Sequence, residues 1–272
     1  HAGELIGNGH YQLGSIAVRM LCFDDTTIDG DYYYNRLLAA YNTRVSLNLI
    51  REDNNSFRLV HGEGDFLPGL VVDIYGNTAV MQAHSPGMHF ARNTIAEALV
   101  KLPEGIVKNV YYKSETTLPY ITRDTENYYI IGGYDTNIAL ENGLKFHVDW
   151  LRGQKTGFFV DQRENRSLLE KYAKGRKVLN MFCYTGGFSF YAMRGGAQAV
   201  HSVDSSSKAI SLTRENVELN FPGDTRHEAF AEDAFKFLNE MDNSYDLIIL
   251  DPPAFAKHKS ALKNALIGYR KI

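Results

Sequence analysis

The sequence predicts an α/β fold whose second half contains a mostly parallel β-sheet. Three observations support this prediction: compact apolar runs recur along the chain, the runs are apolar on both faces, and the segments between them are long enough for crossover helices. The runs are "KVLNMF", "AVHSVD" and "DLIILD". Helices on both faces of a sheet bury strands of this kind, so strands and helices should alternate here.

Capping residues predict where three helices of this half begin. Asp161 precedes "QRENRSLLEKYA", Asp204 or Ser205 precedes "SSKAISLTRENVELN", and Asp233 precedes "AFKFLNEM". A side-chain oxygen at such a position accepts a hydrogen bond from a free backbone N–H group of the first turn. We therefore expect a helix after each of these residues.

The first half is richer in short strands separated by turn residues. "FRLVHGEGDFLPGLVVDIYGNTAVMQAH" contains three such runs, and "YQLGSIAVRML" resembles a strand pair. Helical spacing predicts a helix over 31–49 and another in "GMHFARNTIAEALVKL", which ends before Pro103. Asn142 and Gly143 separate two alternating runs, which is typical of a type I′ hairpin because both residues accept positive φ.

Composition and charge exclude several classes of protein. The 272 residues carry a formal net charge of −3, so any contact with nucleic acid would come from local basic patches. The two cysteines, Cys22 and Cys183, form neither a disulfide framework nor a metal-binding spacing and fit a reducing compartment. No apolar run reaches membrane-spanning length, and "HAGELIGNGHYQ" lacks the blocks of a signal peptide. We expect a cytoplasmic protein with no membrane association.

A glycine pair follows the first strand of the α/β half. In such sheets ligands bind beyond the carboxyl ends of the strands, and glycine lets the backbone approach them. Gly186 and Gly187 occupy this position, and Asp204 ends the next strand, about where a carboxylate meets ribose hydroxyls in nucleotide sites. Tight packing is the alternative explanation of the glycines alone. Together with Asp204 they favour nucleotide binding.

The type of nucleotide follows from what the loop lacks. "CYTGGFSFYA" does not supply the G-x-G-x-x-G pattern that places several backbone N–H groups on a pyrophosphate. This favours an adenosine cofactor without phosphate, such as S-adenosylmethionine. Asp233 would then accept a hydrogen bond from the adenine amino group. Alternatively, it would act only as a helix N-cap. Asp251, held at a strand end by Pro252 and Pro253, would lie at the cofactor's edge, although a rigid turn is the commoner reason for a lone Asp-Pro.

Several long motifs, in family order, resemble the bacterial large-subunit ribosomal-RNA methyltransferases that modify cytosine C5. The motifs are "GHYQLGSIAVRML", "FRLVHGEGDFLPGLVVDIYG", "GQKTGFFVDQRENR", "LNMFCYTGGFSFYA", "VDSS", "AEDAF" and "DPPAFAK". The resemblance implies the C-terminal part of a PUA-like RNA-binding β domain over 1–50 and a small central α+β domain with a bridging hairpin over 51–149. A Rossmann-like class I methyltransferase domain, incomplete at its C-terminus, would occupy 150–272.

The resemblance also assigns residues to S-adenosylmethionine: five at its methionine end, two at the ribose, two at the adenine and one at its carboxylate. The residues at the methionine end are Phe182, Tyr184, Thr185, Gly186 and Gly187. Asp204 and Ser205 are those at the ribose, Asp233 and Ala234 those at the adenine, and Arg163 the one at the carboxylate. A guanidinium suits a carboxylate, although a salt bridge on the helix surface explains Arg163 equally well. Asp251 would orient the target base.

The family's catalytic cysteine has no counterpart in this sequence. In the family a thiolate adds to cytosine C6, which makes C5 nucleophilic, and it lies in a Ser-Cys-Ser type motif after the fourth strand. The 272 residues contain no such motif, and the alternative for Cys22 and Cys183 is that both are ordinary packed residues. We therefore expect the nucleophile downstream of Ile272 and this chain alone to be inactive.

The last residues point to the expected partner, large-subunit ribosomal RNA. "AFAKHKSALKNALIGYRKI" carries five cations and no acidic residue, a composition suited to RNA phosphates or to a solvated helix face. A homodimer is compatible with the sequence. Two alternatives to a cytosine-C5 enzyme stay open: a guanine-modifying ribosomal-RNA methyltransferase, which needs no cysteine, and a non-catalytic module that binds RNA and cofactor. A methyltransferase of small molecules is disfavoured by the PUA-like segment.

Overall fold

The chain forms two compact units, His1–Asp161 and Gln162–Ile272, and each unit is described separately. A computed structural model of the protein describes residues 3–119, 125–241, 244–256 and 258–271. Over these ranges no helix has both the length and the apolarity needed to span a bilayer. The expected division into three domains, at 50/51 and 149/150, stays a prediction.

The first unit contains a hairpin, a long helix, a five-stranded sheet with two short helices, and a second hairpin. Its elements are β1 (Asn8–Tyr11), β2 (Val18–Cys22), α1 (Gly30–Ser46), β3 (Ser56–His61), β4 (Leu70–Tyr75), β5 (Thr78–Ala83), α2 (Pro86–Phe90), α3 (Arg92–Leu99), β6 (Asn109–Tyr112), β7 (Tyr128–Ile131), β8 (Ile138–Glu141) and β9 (Leu144–His147). The sheet order is β3-β4-β5-β6-β7, and β5 pairs with β6 in parallel while the other pairs are antiparallel.

Two predictions of local structure in this unit are confirmed and one is wrong. The predicted type I′ hairpin is confirmed between β8 and β9, where Asn142 and Gly143 have φ of 48° and 82°. The predicted strand pair near the N-terminus is confirmed as β1 and β2. The single helix expected before Pro103 is wrong, because α2 ends at Phe90 and α3 begins after Ala91.

One apolar core joins the long helix to the sheet. Leu37 of α1, Leu59 of β3, Val72 of β4 and Ile95 of α3 are fully buried in it. Burying an aliphatic side chain of this size stabilises a fold by about 1.5–3 kcal/mol, so the core is the main source of stability here. The first 50 residues therefore share a core with the sheet that follows them.

A buried carboxylate anchors the "GQKTGFF" loop to this sheet. Asp73 of β4 is fully buried and accepts hydrogen bonds from Arg58 Nε and Nη2 at 2.8 and 2.9 Å. The Thr156 hydroxyl donates to the same carboxylate at 2.7 Å, and the Tyr75 hydroxyl donates to the Phe158 carbonyl at 3.1 Å. Burial raises the pKa of Tyr75 well above its ordinary value, so this hydroxyl stays a donor. Thr156 and Phe158 of the "GQKTGFF" loop therefore have a structural role, because they hold the loop against the sheet.

The second unit alternates helices and strands as the sequence predicts. Its elements are α4 (Arg163–Tyr172), β10 (Lys177–Met181), α5 (Gly187–Arg194), β11 (Ala199–Asp204), α6 (Ser207–Asn220), β12 (His227–Ala231), α7 (Ala234–Glu240), β13 (Leu247–Leu250) and α8 (Leu262–Lys271). The strand order is β12-β11-β10-β13, and every pair is parallel. The predicted parallel α/β sheet is confirmed.

Alternate residues of the strands face different helices. Leu179, Met181 and Val203 share a cluster with Ala234 of α7, whereas Asn180 of β10 bonds to Ser189 of α5. The prediction that "DLIILD" is buried on both faces is wrong for the residues that the structure describes, where β13 is the last strand of the sheet and its Ile248 and Leu250 are each 45% exposed.

Two of the three predicted helix caps are wrong. Asp161 lies in a 3₁₀ turn, and the N-cap of α4 is Gln162, which makes no capping hydrogen bond. The N-cap of α6 is Ser206, whose hydroxyl accepts from the Ala209 N–H. The prediction for Asp233 is confirmed, since its Oδ1 accepts from two backbone N–H groups of α7.

A chain of buried polar side chains crosses this sheet beneath α5. Asn180 Nδ2 donates to Ser189 Oγ at 2.9 Å, Ser189 and Ser202 share a hydrogen bond of 2.6 Å, and Ser202 Oγ bonds to His227 Nε2 at 2.8 Å. Burial, with smaller contributions from the charges of His201 and Arg214, lowers the pKa of His227 to about 4. The imidazole is therefore neutral at pH 7.

His227 should make the fold sensitive to acid. The pKa of a histidine is about 6.5 when unfolded and about 4 here, so between these values the unfolded chain binds a proton that the folded chain does not. Stability should fall as the pH drops through this window, and His227 should account for up to about 2 kcal/mol of the loss between pH 7 and pH 5. Urea unfolding at about pH 7 and about pH 5 measures it.

The matched control is His227→Gln, which does not titrate but retains a hydrogen-bonding group for Ser202. The variant should lose less stability than the wild type over the same interval. Equal losses would show that other groups cause the acid sensitivity.

Candidate functional site

Residues predicted to bind one ligand lie at one edge of the second unit's sheet. The parallel strands β10, β11, β12 and β13 end at Met181, Asp204, Ala231 and Leu250. Because parallel strands present their carboxyl ends at the same edge, the loops after them face a common space. The residues brought there are Phe182 to Gly187, Asp204, Ser205, Asp233, Ala234 and Asp251.

The loop after β10 has a strained backbone. Phe182 and Tyr184 have φ of 54° and 50°, in the left-handed region that large side chains rarely occupy. Between them, the Cys183 N–H donates to the Val203 carbonyl at 3.0 Å, which joins the loop to β11. Strain that the surrounding structure maintains in this way is concentrated at ligand sites.

Packing and backbone conformation account for Gly186. Its φ is +83°, and a Cβ at this position would lie 2.6 Å from Thr213 Cγ2 and 2.7 Å from Phe190 Cζ. Real Cβ atoms do not come so close, so only glycine fits between α5 and α6. Gly187 is the buried first residue of α5. Direct contact of these glycines with a ligand stays a prediction.

Asp204 connects two loops through one carboxylate. Its Oδ2 accepts from the Tyr184 N–H and its Oδ1 from the Ser206 N–H, both at 2.9 Å. A carboxylate has about four acceptor positions, so it retains capacity for ligand hydroxyl groups. Ser205, beside it, is exposed.

Asp233 keeps one carboxylate oxygen available. Its Oδ1 accepts from the Phe235 and Lys236 N–H groups at 3.0 and 3.1 Å, and its Oδ2 accepts from no residue in the described ranges. Ala234 is buried against the sheet. The cap and a ligand contact are therefore compatible, because each uses a different oxygen.

Arg163 and Asp251 have protein partners near the same edge. Arg163 Nε donates to Glu164 Oε1 at 3.0 Å, so the salt bridge considered as its alternative role is present. The Arg163 side chain is only 13% exposed, which is unusual for a simple surface pair. Asp251 is exposed, and Gln162 Nε2 approaches its Oδ2 at 3.5 Å. Gln162 was not predicted, although it belongs to the "GQKTGFFVDQRENR" motif.

Sequence reasoning also missed the residues of α6 that hold the strained loop. The Thr213 hydroxyl donates to the Tyr184 carbonyl at 3.1 Å, and Asn216 Nδ2 donates to the Thr185 carbonyl at 3.5 Å. Both side chains are fully buried. A buried polar pair in mid-helix was the available signal, but the helix period alone does not show what the pair contacts.

Neither cysteine is suited to act as a nucleophile. Burial, aided by the nearby Asp204 carboxylate, raises the pKa of the Cys183 thiol far above its ordinary value. Cys22 is also buried, and its sulfur lies 3.6 Å from the carbonyl oxygens of Asp24 and Thr26. Because both sulfurs are buried, the interpretation of both cysteines as packed residues is supported.

The basic stretch near the C-terminus is partly described. Lys259, Lys263 and Arg270 are exposed, Lys257 lies outside the described residues, and so does the side chain of Lys271. Contact of this stretch with RNA stays a prediction.

The chain is similar to known methyltransferases along nearly its whole length. The S-adenosylmethionine-dependent methyltransferase family matches residues 121–272. Ribosomal RNA large subunit methyltransferase I of Aeromonas hydrophila is 38% identical over 280 residues, which cover 99% of this chain and 70% of that protein. The protein of the same name from Shewanella frigidimarina is 37% identical over 286 residues, with 100% and 70% covered.

Two solved structures share the fold. One, described as a SAM-dependent methyltransferase of Streptococcus mutans, has a TM-score of 0.79 and 24% identity and covers 97% of this chain and 70% of its own. Another methyltransferase structure, complexed with SAH, has a TM-score of 0.78 and 25% identity, with 93% and 66% covered. The likeness supports the Rossmann-like class I fold of the second unit.

The packing around Gly186 can be separated from its backbone conformation by comparison with Gly175. Gly175 has φ of +71°, but a Cβ added there would meet nothing within 4 Å, so Gly175→Ala should cost only the conformational energy, about 1 kcal/mol. Gly186→Ala adds a steric overlap and should cost about 3 kcal/mol or more. Urea unfolding of both variants measures the difference, and similar values would show that α6 can move away from the loop.

Proposed function

The chain belongs to the S-adenosylmethionine-dependent methyltransferase family, and we propose that it methylates large-subunit ribosomal RNA at C5 of cytosine. S-adenosylmethionine is its cofactor. One observation supports an RNA substrate: a protein named as a ribosomal RNA methyltransferase shares 38% sequence identity with this chain over 99% of its length. A cytoplasmic location is part of the same proposal.

The residues at the sheet edge fit an adenosine cofactor without phosphate. The Asp204 carboxylate has acceptor positions left for ribose hydroxyls, and Asp233 Oδ2 is available to the adenine amino group. The loop after β10 offers aromatic and hydroxyl side chains to the methionine end and has no G-x-G-x-x-G pattern for a pyrophosphate. We assign to this cofactor all the residues that the family resemblance implies.

The proposal also gives a role to Arg163 at the cofactor and to Asp251 at the target base. Arg163 would exchange its Glu164 partner for the cofactor carboxylate, and its low exposure favours such a partner. Asp251 is exposed at the end of β13, where it would accept from the target base and orient it. The bound cofactor supplies an electrophilic methyl group on a sulfonium.

The cytosine target requires a thiolate that these 272 residues do not provide. C5 of cytosine becomes nucleophilic only when a nucleophile adds to C6, and both Cys22 and Cys183 are buried. The same observation favours a second candidate, methylation of guanine in ribosomal RNA, which needs no thiol. The PUA-like and "GQKTGFFVDQR" motifs are the reason we place cytosine first.

Asp233→Ser tests the adenine contact separately from the helix cap. Serine is also a good N-cap, so stability should change by less than about 1 kcal/mol, whereas the loss of a charge-assisted bond should weaken binding of S-adenosylhomocysteine about tenfold. Titration calorimetry measures the affinity. The matched control is Asp224→Ser, which removes a carboxylate near the opposite end of β12 and should leave affinity unchanged. Wild-type affinity in Asp233→Ser would exclude the contact.

The base specificity can be tested on ribosomal RNA. We expect the 272-residue chain to bind the cofactor without methylating RNA, and a longer form, if it carries a Ser-Cys-Ser motif after the fourth strand, to produce 5-methylcytosine. That form should also be trapped covalently by RNA containing fluorinated cytosine. Nucleoside mass spectrometry and denaturing gels provide the measurements. Methylguanine as product would establish the second candidate, and cytosine methylation by the 272 residues would overturn the thiol requirement.

A further inference from the structure

Phe66 in the first unit combines a strained backbone with an exposed ring. It follows the 3₁₀ turn Gly62–Asp65 and has φ of 57° and ψ of 28°, a left-handed conformation that glycine reaches without cost. The residue is 65% exposed, so burial of the ring does not compensate for the strain. A bulky residue in this region suggests a role other than folding.

An arginine that forms no ion pair among the described residues lies over this ring. The Arg36 guanidinium carbon, on α1, is 5.2 Å from the centroid of Phe66 and 5.3 Å from that of Tyr32. Its Nε donates to the Tyr32 hydroxyl at 3.3 Å. In the ranges that the structure describes, Arg36 forms no ion pair with a carboxylate. Its position is therefore set by aromatic rings, and its charge interacts with the Asp24 carboxylate at longer range than an ion pair.

Phe66 and Arg36 line a cleft of about 420 Å³, which we name the Phe66 cleft. Its volume lies within the range of about 300–1,000 Å³ that is usual for small-molecule sites. Phe23, which is 82% exposed, lines it as well. The carboxylates of Asp24 and Glu63 also line it.

A second cation in the lining has an unsatisfied donor. Arg19 of β2 lines the Phe66 cleft, and its Nε is buried without a hydrogen-bond acceptor among the described residues. The cleft thus combines two arginines, two exposed phenylalanines and two carboxylates in one unit of the protein.

This combination matches the chemistry of a nucleotide. Exposed aromatic rings and guanidinium planes stack on unpaired bases, and arginine also binds phosphate. Carboxylates accept hydrogen bonds from amino groups such as N4 of cytosine. An apolar peptide segment would use the rings but neither the arginines nor the carboxylates of the cleft. A base with its phosphate uses all three kinds of group.

We propose, on the basis of the RNA function proposed above, that the Phe66 cleft binds an unpaired nucleotide of the RNA substrate, whose base stacks on Phe66. The cleft residues belong to the first unit and the cofactor residues to the second, so a substitution in the cleft should leave cofactor binding unchanged. It would select RNA with a single-stranded segment, because paired bases do not expose their faces.

Phe66→Gly tests the stacking without endangering the fold, because glycine prefers the backbone conformation found here. Fluorescence anisotropy would measure binding of a labelled single-stranded RNA of about twelve nucleotides. Affinity should fall about tenfold in Phe66→Gly, as expected for loss of one base–aromatic stack, and should be retained in Phe66→Tyr. Phe90→Ala is the matched control, since Phe90 is 74% exposed in the same unit but lies outside the cleft.

A duplex of the same sequence and S-adenosylhomocysteine serve as further probes. Phe66→Gly should change neither the duplex affinity nor the cofactor affinity. If Phe66→Gly binds the single strand as tightly as the wild type, or if Phe90→Ala weakens it equally, the cleft does not bind the base. If the wild type binds cofactor but no RNA, both the RNA function and the cleft assignment are overturned, whereas a methylated guanine product would leave the cleft assignment intact.

Discussion

The site depends on the carboxylate of Asp204. Its two oxygens accept from the backbone N–H groups of Tyr184 and Ser206, so one side chain fixes the loop after β10 and the residue that caps α6. Because β10 and β11 are neighbouring parallel strands, their loops leave the sheet at the same edge and lie within reach of a single residue. The negative charge also lies near the N-terminus of α6, where the helix dipole favours it.

The other hydrogen bonds of the loop after β10 also hold its strained backbone in place. Thr213 and Asn216 of α6 bind the carbonyl groups of Tyr184 and Thr185, and the Cys183 N–H bonds to β11. Each positive φ costs conformational energy, which these hydrogen bonds offset. The close approach of α6 to Gly186 is a result of this arrangement, and it explains the glycine through neighbouring side chains.

Features decided by local chemistry could be predicted from the sequence. The parallel sheet follows from apolar runs of strand length, the type I′ hairpin from Asn142 and Gly143, and the start of α7 from Asp233. The start of α6 could not be predicted, because Asp204 bonds across to the neighbouring loop and leaves the capping position to Ser206. The exposure of β13 could not be predicted either, because the order of the strands is decided by tertiary packing. The assignment of residues to the cofactor remains a prediction.

The burial of both thiols has a consequence for the protein's response to oxidants. Peroxides react with thiolates, and a sulfenic acid forms readily only where the sulfur is accessible and ionised. Cys183 lies within the strained loop, between Phe182 and Tyr184, yet its raised pKa and its burial keep the sulfur protonated and covered. Cofactor binding by these 272 residues should therefore be insensitive to the redox state of the surroundings, even though a cysteine is located within the binding loop itself.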